Sequence, residues 1–326
     1  MIRDVLIVGA GPSGLATAIA AKQAGLDYVL VEKGALVNSI FHFPTHMVFF
    51  TTPELLEIGK LPLTTPFEKP TRLEALRYYR RVVDTYDLSI SFDETVVSIE
   101  REDDGVFVIE TTTPRGDTRL RQARAVVLAI GYYDRPNLLG VPGEDLPHVS
   151  HYYTDAHPYY RKRVVIVGGK NSAAEAALEL YRAGAMPTLV HRHATLGDSI
   201  KYWVRPDIEN RIKEGSVGAR FESHVVAITP SVVTLDGPGG REDLPAEAVF
   251  LLTGYCPDVE LMRRAGVHCH AETLAPEINP DTFETNVPNL FIVGGAMAGR
   301  ATGSIFIENG RFHGEKAVAE LAERFR

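Results

Sequence analysis

Cysteine is nearly absent from this chain. Cys256 and Cys269 are the only two in 326 residues, and no Cys-x-x-Cys pair occurs. That excludes a disulfide framework and points to a cytoplasmic setting. Long apolar runs are missing too: none reaches the roughly 18 residues that a membrane span needs. The first apolar run feeds a glycine turn instead of a cleavage site, so no signal peptide and no membrane partner are expected. No tract is of low complexity, and no stretch is dominated by charge of one sign. With a formal net charge of −8 and scattered Lys, Arg, Asp and Glu, nucleic acid and anionic membrane surfaces are poor partners. What remains is a chain with 45% apolar content, globular throughout and long enough for two domains with their own cores.

Within it, one pattern occurs twice. Apolar residues from Val5 to Val8 lead into Gly9-x-Gly11-x-x-Gly14, then a helical stretch to Gly25, then Tyr28 to Val31 and Glu32. Val164 to Val167 lead into Gly168-Gly169-Lys170-Asn171-Ser172-Ala173, then a helical stretch to Gly184, then Thr188 to Val190 and His191. A constant offset pairs Val5 with Val164, Gly9 with Gly168, Ser13 with Ser172 and Val31 with Val190. Each copy reads as a strand–glycine turn–helix unit. Its glycines permit a tight turn and a close backbone approach to a pyrophosphate, and its helix N-terminus attracts the anion. The ends of the second strands differ. Glu32 suits the two hydroxyls of an adenosine ribose, as in FAD or NAD; His191-Arg192-His193 offers positive charge, as the 2′-phosphate of NADPH requires.

The fold class that follows is α/β, with two nested Rossmann-like dinucleotide-binding domains. Residues 1–131 form the first part of an FAD domain and 132–255 an inserted NADPH domain; 256–326 return to the FAD domain. A helix is expected around Leu73 to Tyr86, and strands at Thr95–Glu100, Val106–Thr112, Ala125–Gly131, Ala248–Gly254 and Leu290–Gly295. A single final helix is expected from about Ile305 to Arg324. Two adjacent linkers imply a hinge. The tyrosine-rich connector (Tyr152, Tyr153, Tyr159, Tyr160) is expected to pack at a domain interface.

Gly9-x-Gly11-x-x-Gly14, Ala129-Ile-Gly131, Val167-Gly-Gly-x-Asn-Ser-Ala173 and Thr285-Asn-Val-Pro-Asn-Leu-Phe-Ile-Val293 are similar to thioredoxin-reductase-like flavoproteins of low molecular weight. Val37-Asn-Ser-Ile-Phe-His-Phe-Pro-Thr-His46, Gly131-Tyr-Tyr-Asp-Arg-Pro136 and Ile305-Phe-Ile-Glu-Asn-Gly-Arg-Phe-His-Gly314 narrow the match. Here the chain resembles the YpdA family, NADPH-dependent bacillithiol disulfide reductases that carry FAD. The resemblance implies FAD contacts at Gly9, Gly11, Pro12, Ser13 and Gly14, at Glu32 and Lys33, and at Asn38, Ser39 and Thr45. It adds Val97, Ala129 and Gly131, then Gly294, Gly295, Ile305 and Phe306. For NADPH it implies Gly168, Gly169, Lys170, Asn171, Ser172 and Ala173, with His191, Arg192, Lys201 and Gly254. His46 is a candidate proton donor beside the flavin, and Phe41, Phe43, Phe49 and Phe50 are candidate walls. No metal is expected, since His268-Cys269-His270 lacks a matching partner pair. A homo-oligomer, dimer or tetramer, is expected.

Departures from the family limit what carries over. Tyr152 to Asp155 stand where thioredoxin reductases have their redox pair, and Ser13 stands where YpdA-type reductases have their proposed redox cysteine. A hydroxyl forms no mixed disulfide. Lys170 fills the middle glycine slot of the second fingerprint, and Gly295 replaces an aspartate on the flavin ribityl chain. The expected chemistry is hydride from NADPH to FAD, then electrons to a small disulfide or to a redox protein. The final helix is expected to aim its amides at the flavin. The alternatives are a ferredoxin–NADP reductase, a flavin monooxygenase and a non-catalytic flavin sensor.

Overall fold

The computed structural model describes all 326 residues. They form two compact units: Met1–His42, His46–Arg135 and Tyr255–Arg326 make the first, and Phe43–Thr45 with Pro136–Gly254 the second. In the first unit, β1 (Ile2–Val8), α1 (Pro12–Gln23) and β2 (Tyr28–Val31) are followed by α2 (Asn38–Phe41), α3 (Pro53–Leu56) and α4 (Arg72–Tyr86). Then come β3 (Ile90–Ser91), β4 (Thr95–Arg101), β5 (Phe107–Thr112) and β6 (Thr118–Leu128). In the second unit are β7 (Val149–Ser150), β8 (Arg163–Val167), α5 (Asn171–Arg182), β9 (Met186–Val190), α6 (Arg205–Lys213) and β10 (Gly218–Arg220). An antiparallel set follows, β11 (His224–Ile228), β12 (Val232–Gly237) and β13 (Gly240–Pro245), then β14 (Ala248–Leu251). The chain returns to the first unit with α7 (Val259–Arg264), β15 (Leu290–Ile292), α8 (Ile307–Gly310) and α9 (His313–Arg324).

Both units have the same parallel plan. The first sheet runs β3-β2-β1-β6 with β15 on the far edge of β6, and the second runs β10-β9-β8-β14-β7. The central strands are continuous apolar runs because both of their faces are covered: Val5, Leu6, Ile7 and Val126 to Leu128 are fully buried. β6 is unusually long and serves two partners along one edge. Its first half pairs antiparallel with β5, from Thr112↔Thr118 to Phe107↔Ala123, and its last residues pair parallel with β15, from Leu290↔Val126 to Ile292↔Leu128. The other edge pairs parallel with β1, from Ile2↔Gln122 to Val8↔Leu128.

Helix ends follow local chemistry. α1 begins with Pro12 at its first turn, where a missing N–H costs nothing. α4 begins with a capping box, in which the Thr71 hydroxyl accepts from the Glu74 amide and the Glu74 carboxylate accepts from the Thr71 amide. The final helix departs from expectation. It is two pieces, a four-residue α8 and then α9, separated at Arg311-Phe312, where the Arg311 guanidinium reaches the Glu54 and Glu57 carbonyls. Ile305 and Phe306 thus lead into a four-residue piece, Ile307–Gly310, and not into one long helix. In the tyrosine connector, Tyr153 lies in the core of the second unit and Tyr159 packs against that core, both edge-on to Phe250. The antiparallel set β11–β13 was not anticipated.

The first sheet is clamped by a buried acid that its pattern does not announce. Glu94 precedes β4 with no exposed side chain. Its carboxylate accepts from Arg121 Nε at 2.5 Å and Nη2 at 2.7 Å, and from the Ser91 and Thr111 hydroxyls at 2.6 Å each. Burial alone would push this carboxyl up, but the hydrogen bonds from Arg121, Ser91 and Thr111 outweigh it and hold it at about 2. Its folded pKa lies below its ordinary 4.5, so its stabilisation is present above that value and disappears as pH falls towards 2. Glu94→Gln leaves Arg121 without its counter-charge and is expected to cost about 3 kcal/mol at pH 7. The urea midpoint should drop accordingly, and the gap from the native chain should close near pH 2; equal midpoints at pH 7 would exclude a stabilising clamp.

Candidate functional site

In open α/β sheets ligands bind outside the carboxyl ends of the strands, where the strand order reverses. In the first unit that point lies between β1 and β6. Gly9 follows β1 with φ +104°, a backbone few other residues adopt, and a Cβ there would meet the Ala129 carbonyl at 2.6 Å. Gly14 packs harder still, since a Cβ would fall 1.9 Å from the Gly9 oxygen. Gly11, between them, has nothing within 4 Å of its Cβ direction, which leaves bare backbone facing open space.

Glu32 organises this turn. It is 5% exposed, and its two carboxylate oxygens accept from the Ala10 amide at 2.7 Å and the Gly34 amide at 2.8 Å. Burial pushes its carboxyl up, and the two amides offset part of that. Each oxygen keeps a further acceptor site, so the acid can brace the turn and still meet a pair of hydroxyls. Lys33 is committed elsewhere, to Asp134 at 2.8 Å. Asn38 accepts from the Ala35 amide and lies over Gly34, with Ser39 beside it in α2. Val97 is half-buried at the bulge of β4. Thr45, whose amide donates to the Thr154 carbonyl, falls in the second unit. His46 is exposed, as is Phe306, while Ile305 is half-buried.

Ser13 occupies a socket. A Cβ on Gly294 would meet its Oγ at 2.5 Å and one on Gly310 at 3.2 Å, so both glycines make room for the hydroxyl. Ala129, packed against Gly9 and Gly14, and Gly131 follow the end of β6. Two residues at this end went unnoticed in the sequence. The Gly294 amide donates to Nδ1 of His313, a half-buried imidazole whose pKa burial lowers, with Lys316 adding to the effect. Tyr132 stands against Gly295. His313 lay in what reads as the middle of one helix, and Tyr132 among several tyrosines.

The second unit repeats the arrangement at β8. A Cβ on Gly168 would meet the Leu252 carbonyl at 2.6 Å, and one on Gly169 would lie 2.3 Å from the His191 ring. Burial lowers the His191 pKa, and the nearby His193 and Arg192 lower it further. Its Nε2 is buried and unpartnered. The positive charge at this strand end therefore belongs to Arg192, which is exposed and donates through Nε to His193 at 3.2 Å. Lys170 is the exposed residue that precedes α5; Asn171, Ser172 and Ala173 form its first turn. Asn171 also fixes the loop that follows β9, accepting from the Lys201 amide and donating to the Ser199 carbonyl. Gly254 follows β14 at the same end, with φ +88°.

Further along α5, Glu175 is pushed up to about 7 by burial and by its neighbour Glu179, with the Lys201 charge offsetting part of this. Glu179 in turn accepts from the Tyr153 hydroxyl at 2.7 Å. Neither acid carried a signal in the sequence beyond its helical spacing. Both cysteines are free and half-buried. The Cys256 amide is bonded to the Arg135 carbonyl, and Cys269 is half-buried, bridged to Pro276, with its thiol pushed up by burial. Around it, His268 faces Glu277 while His270 accepts from the Glu272 and Thr273 amides.

Bare backbone, close glycines and a buried acid in one turn, with an arginine after the other, fit two dinucleotides. This is the class of two-nucleotide oxidoreductases. Residues 6–294 match the family model of pyridine nucleotide-disulphide oxidoreductases, and the chain belongs to that family. It is 43% identical over 326 residues to bacilliredoxin reductase Bdr of Bacillus subtilis, covering 99% of both chains. Among solved structures it is similar to bacillithiol disulfide reductase Bdr (YpdA) from Bacillus cereus, at 40% identity and a TM-score of 0.97, covering 99% of this chain and 100% of that one. The Staphylococcus aureus structure of the same name shares 37% identity at a TM-score of 0.94, with both chains fully covered. The protein is thus an oxidoreductase with FAD and NADPH as its cofactors.

Arg192→Ala should weaken NADPH binding roughly ten- to a hundredfold, the value of one charged hydrogen bond, and leave NADH nearly unaffected. Flavin reduction followed by rapid mixing with each nucleotide measures this; an equal loss for both would assign Arg192 to another part of the cofactor. Glu175 has a raised folded pKa, so its contribution is favourable below 4.5 and is lost as pH rises through about 7. Glu175→Gln should therefore raise the melting temperature by about 2 °C at pH 8 and leave it unchanged at pH 4.

Proposed function

We propose that this chain is a cytoplasmic, NADPH-dependent reductase of low-molecular-weight disulfides of the bacillithiol type, working as a homo-oligomer. Full-length similarity to named reductases of this kind supports the reading most strongly. In it, the first turn with Glu32, Gly9, Gly11 and Gly14 holds the adenosine and pyrophosphate of FAD. Gly168, Gly169, His191 and Arg192 hold NADPH. Bound there, the two cofactors supply hydride transfer from nicotinamide to isoalloxazine and deliver the electron pair onward. One hydride and one proton cleave one S–S bond to two thiols, so the balance requires no further oxidant or reductant.

Ser13 sets the limit on mechanism. Its hydroxyl sits between Gly294 and Gly310, where it keeps the turn packed but forms no bond to sulfur. Cys269 is a poor substitute, since burial disfavours its thiolate. The disulfide is accordingly reduced without a mixed disulfide to the enzyme. A protein acceptor is the second reading, favoured because the Bacillus subtilis relative is named for bacilliredoxin.

Steady-state NADPH oxidation with bacillithiol disulfide, oxidised bacilliredoxin, ferredoxin, quinone and oxygen in parallel separates these readings. The small disulfide is expected to turn over fastest; turnover with none but oxygen would overturn the assignment. The Cys256→Ser, Cys269→Ser double variant should keep its disulfide turnover within about twofold, the ordinary scatter of distant surface changes. If turnover collapses while flavin reduction by NADPH is intact, one of these thiols takes part in the reaction.

A further inference from the structure

Gly295 follows β15 at the carboxyl end of the first sheet. Its φ is not positive, so its conformation does not call for glycine. Space does: a Cβ there would lie 2.7 Å from both Cδ1 and Cε1 of Tyr132. Tyr132 comes immediately after Gly131, the turn that ends β6, and β6 is the strand paired with β15. Two neighbouring strands therefore end in a matched pair, a bare glycine on one and an aromatic ring on the other, filling the room above it.

The ring also carries a polar group that the protein leaves unused. Tyr132 is half-buried, and its hydroxyl makes no hydrogen bond within the protein. Burial pushes the phenol up, and the charge of Glu308 in α8 adds to this. The group thus remains an O–H donor across the physiological range. The hydroxyl is not sealed from solvent, so water satisfies it in the free protein, and a ligand that covers it must bring an acceptor of its own. It lies at the same strand ends as Ser13, Gly131 and Gly294, where the flavin is placed.

We propose that Tyr132 is a flavin-positioning residue, its ring and hydroxyl occupying the place above Gly295 in which an acidic side chain would otherwise hold the flavin. The inference rests on the FAD reading of the first unit. It explains why position 295 is glycine here: the contact is supplied from the adjacent strand, and a side chain at 295 would displace it.

The test is a cycle of Tyr132→Phe, Tyr132→Ala, Gly295→Asp and the Tyr132→Ala, Gly295→Asp double variant. Each is stripped of flavin and titrated with FAD by fluorescence quenching, with the visible spectrum of the bound flavin and the melting temperature of the apoprotein recorded alongside. Tyr132→Phe keeps the ring and the fold, and should weaken FAD about fivefold, one neutral hydrogen bond, with an unchanged melting temperature and a shifted visible band. Gly295→Asp should weaken FAD further by colliding with the ring. The double variant should bind FAD more tightly than Gly295→Asp alone, because the acid then has its space. Unaltered FAD affinity in Tyr132→Phe, or a double variant no better than Gly295→Asp, would overturn the inference. A native apoprotein that takes up no FAD would instead overturn the FAD assignment, and this inference with it.

Discussion

The Glu32 carboxylate is the constraint on which the first site depends. It sits at the end of β2, yet it accepts from the amide of Ala10 in the turn after β1 and from the amide of Gly34 just beyond itself. One buried anion thus ties two strand ends and a loop into one surface. The close approach of Gly9 to Ala129 and of Gly14 to Gly9 is tolerable because that turn is held. Without the acid, two amides would be left unsatisfied in a buried place, the costly side of hydrogen-bond energetics.

The second unit reaches a similar surface by other means. Its turn is not braced by an acid; His191 packs against Gly169 instead, and burial lowers the pKa of that ring. Arg192 is then the single residue of that strand end with a permanent charge, and it is free to project. An imidazole packed against the glycine shapes this turn, and the exposed guanidinium beside it carries the charge. In the first unit a carboxylate braces the turn and is also its charged group.

The repeated strand–turn–helix units were legible from apolar runs and glycine spacing, because continuous burial of β1 and β8 and the close packing at Gly9, Gly14 and Gly168 leave direct traces in residue type. The two parallel sheets and the family followed from them. The break between α8 and α9 was not legible. At the break, Arg311 binds carbonyls of Glu54 and Glu57, far away in sequence, and nothing local in Gly310-Arg311-Phe312 marks a stop. Glu94 was equally silent, since an acid before a strand ordinarily reads as a solvated turn residue, and only the register of β5 and β6 brings Arg121 and Thr111 onto it. The antiparallel strands β11–β13 went unread, although they bury Val225, Ile228, Val233, Leu235 and Leu244. Gly295 was visible as a departure from the family; its partner Tyr132 was not, because the pairing exists only across the β6–β15 edge.

The two partners along one edge of β6 bear on the order in which the molecule is made. All five strands of the second sheet lie between Val149 and Leu251, so on the ribosome that sheet is complete while the chain is still growing. The first sheet must wait for β15, which emerges some 160 residues after β6 has left the exit tunnel. Until then the last turn of β6, Val126 to Leu128, presents an unpaired edge of apolar residues. Nascent chains with such an edge are prone to pair with one another. The late arrival of β15, followed by α9 closing over α1, makes the C-terminal residues the step that ends this exposure, and a shortened chain would be expected to aggregate before it lost its second unit.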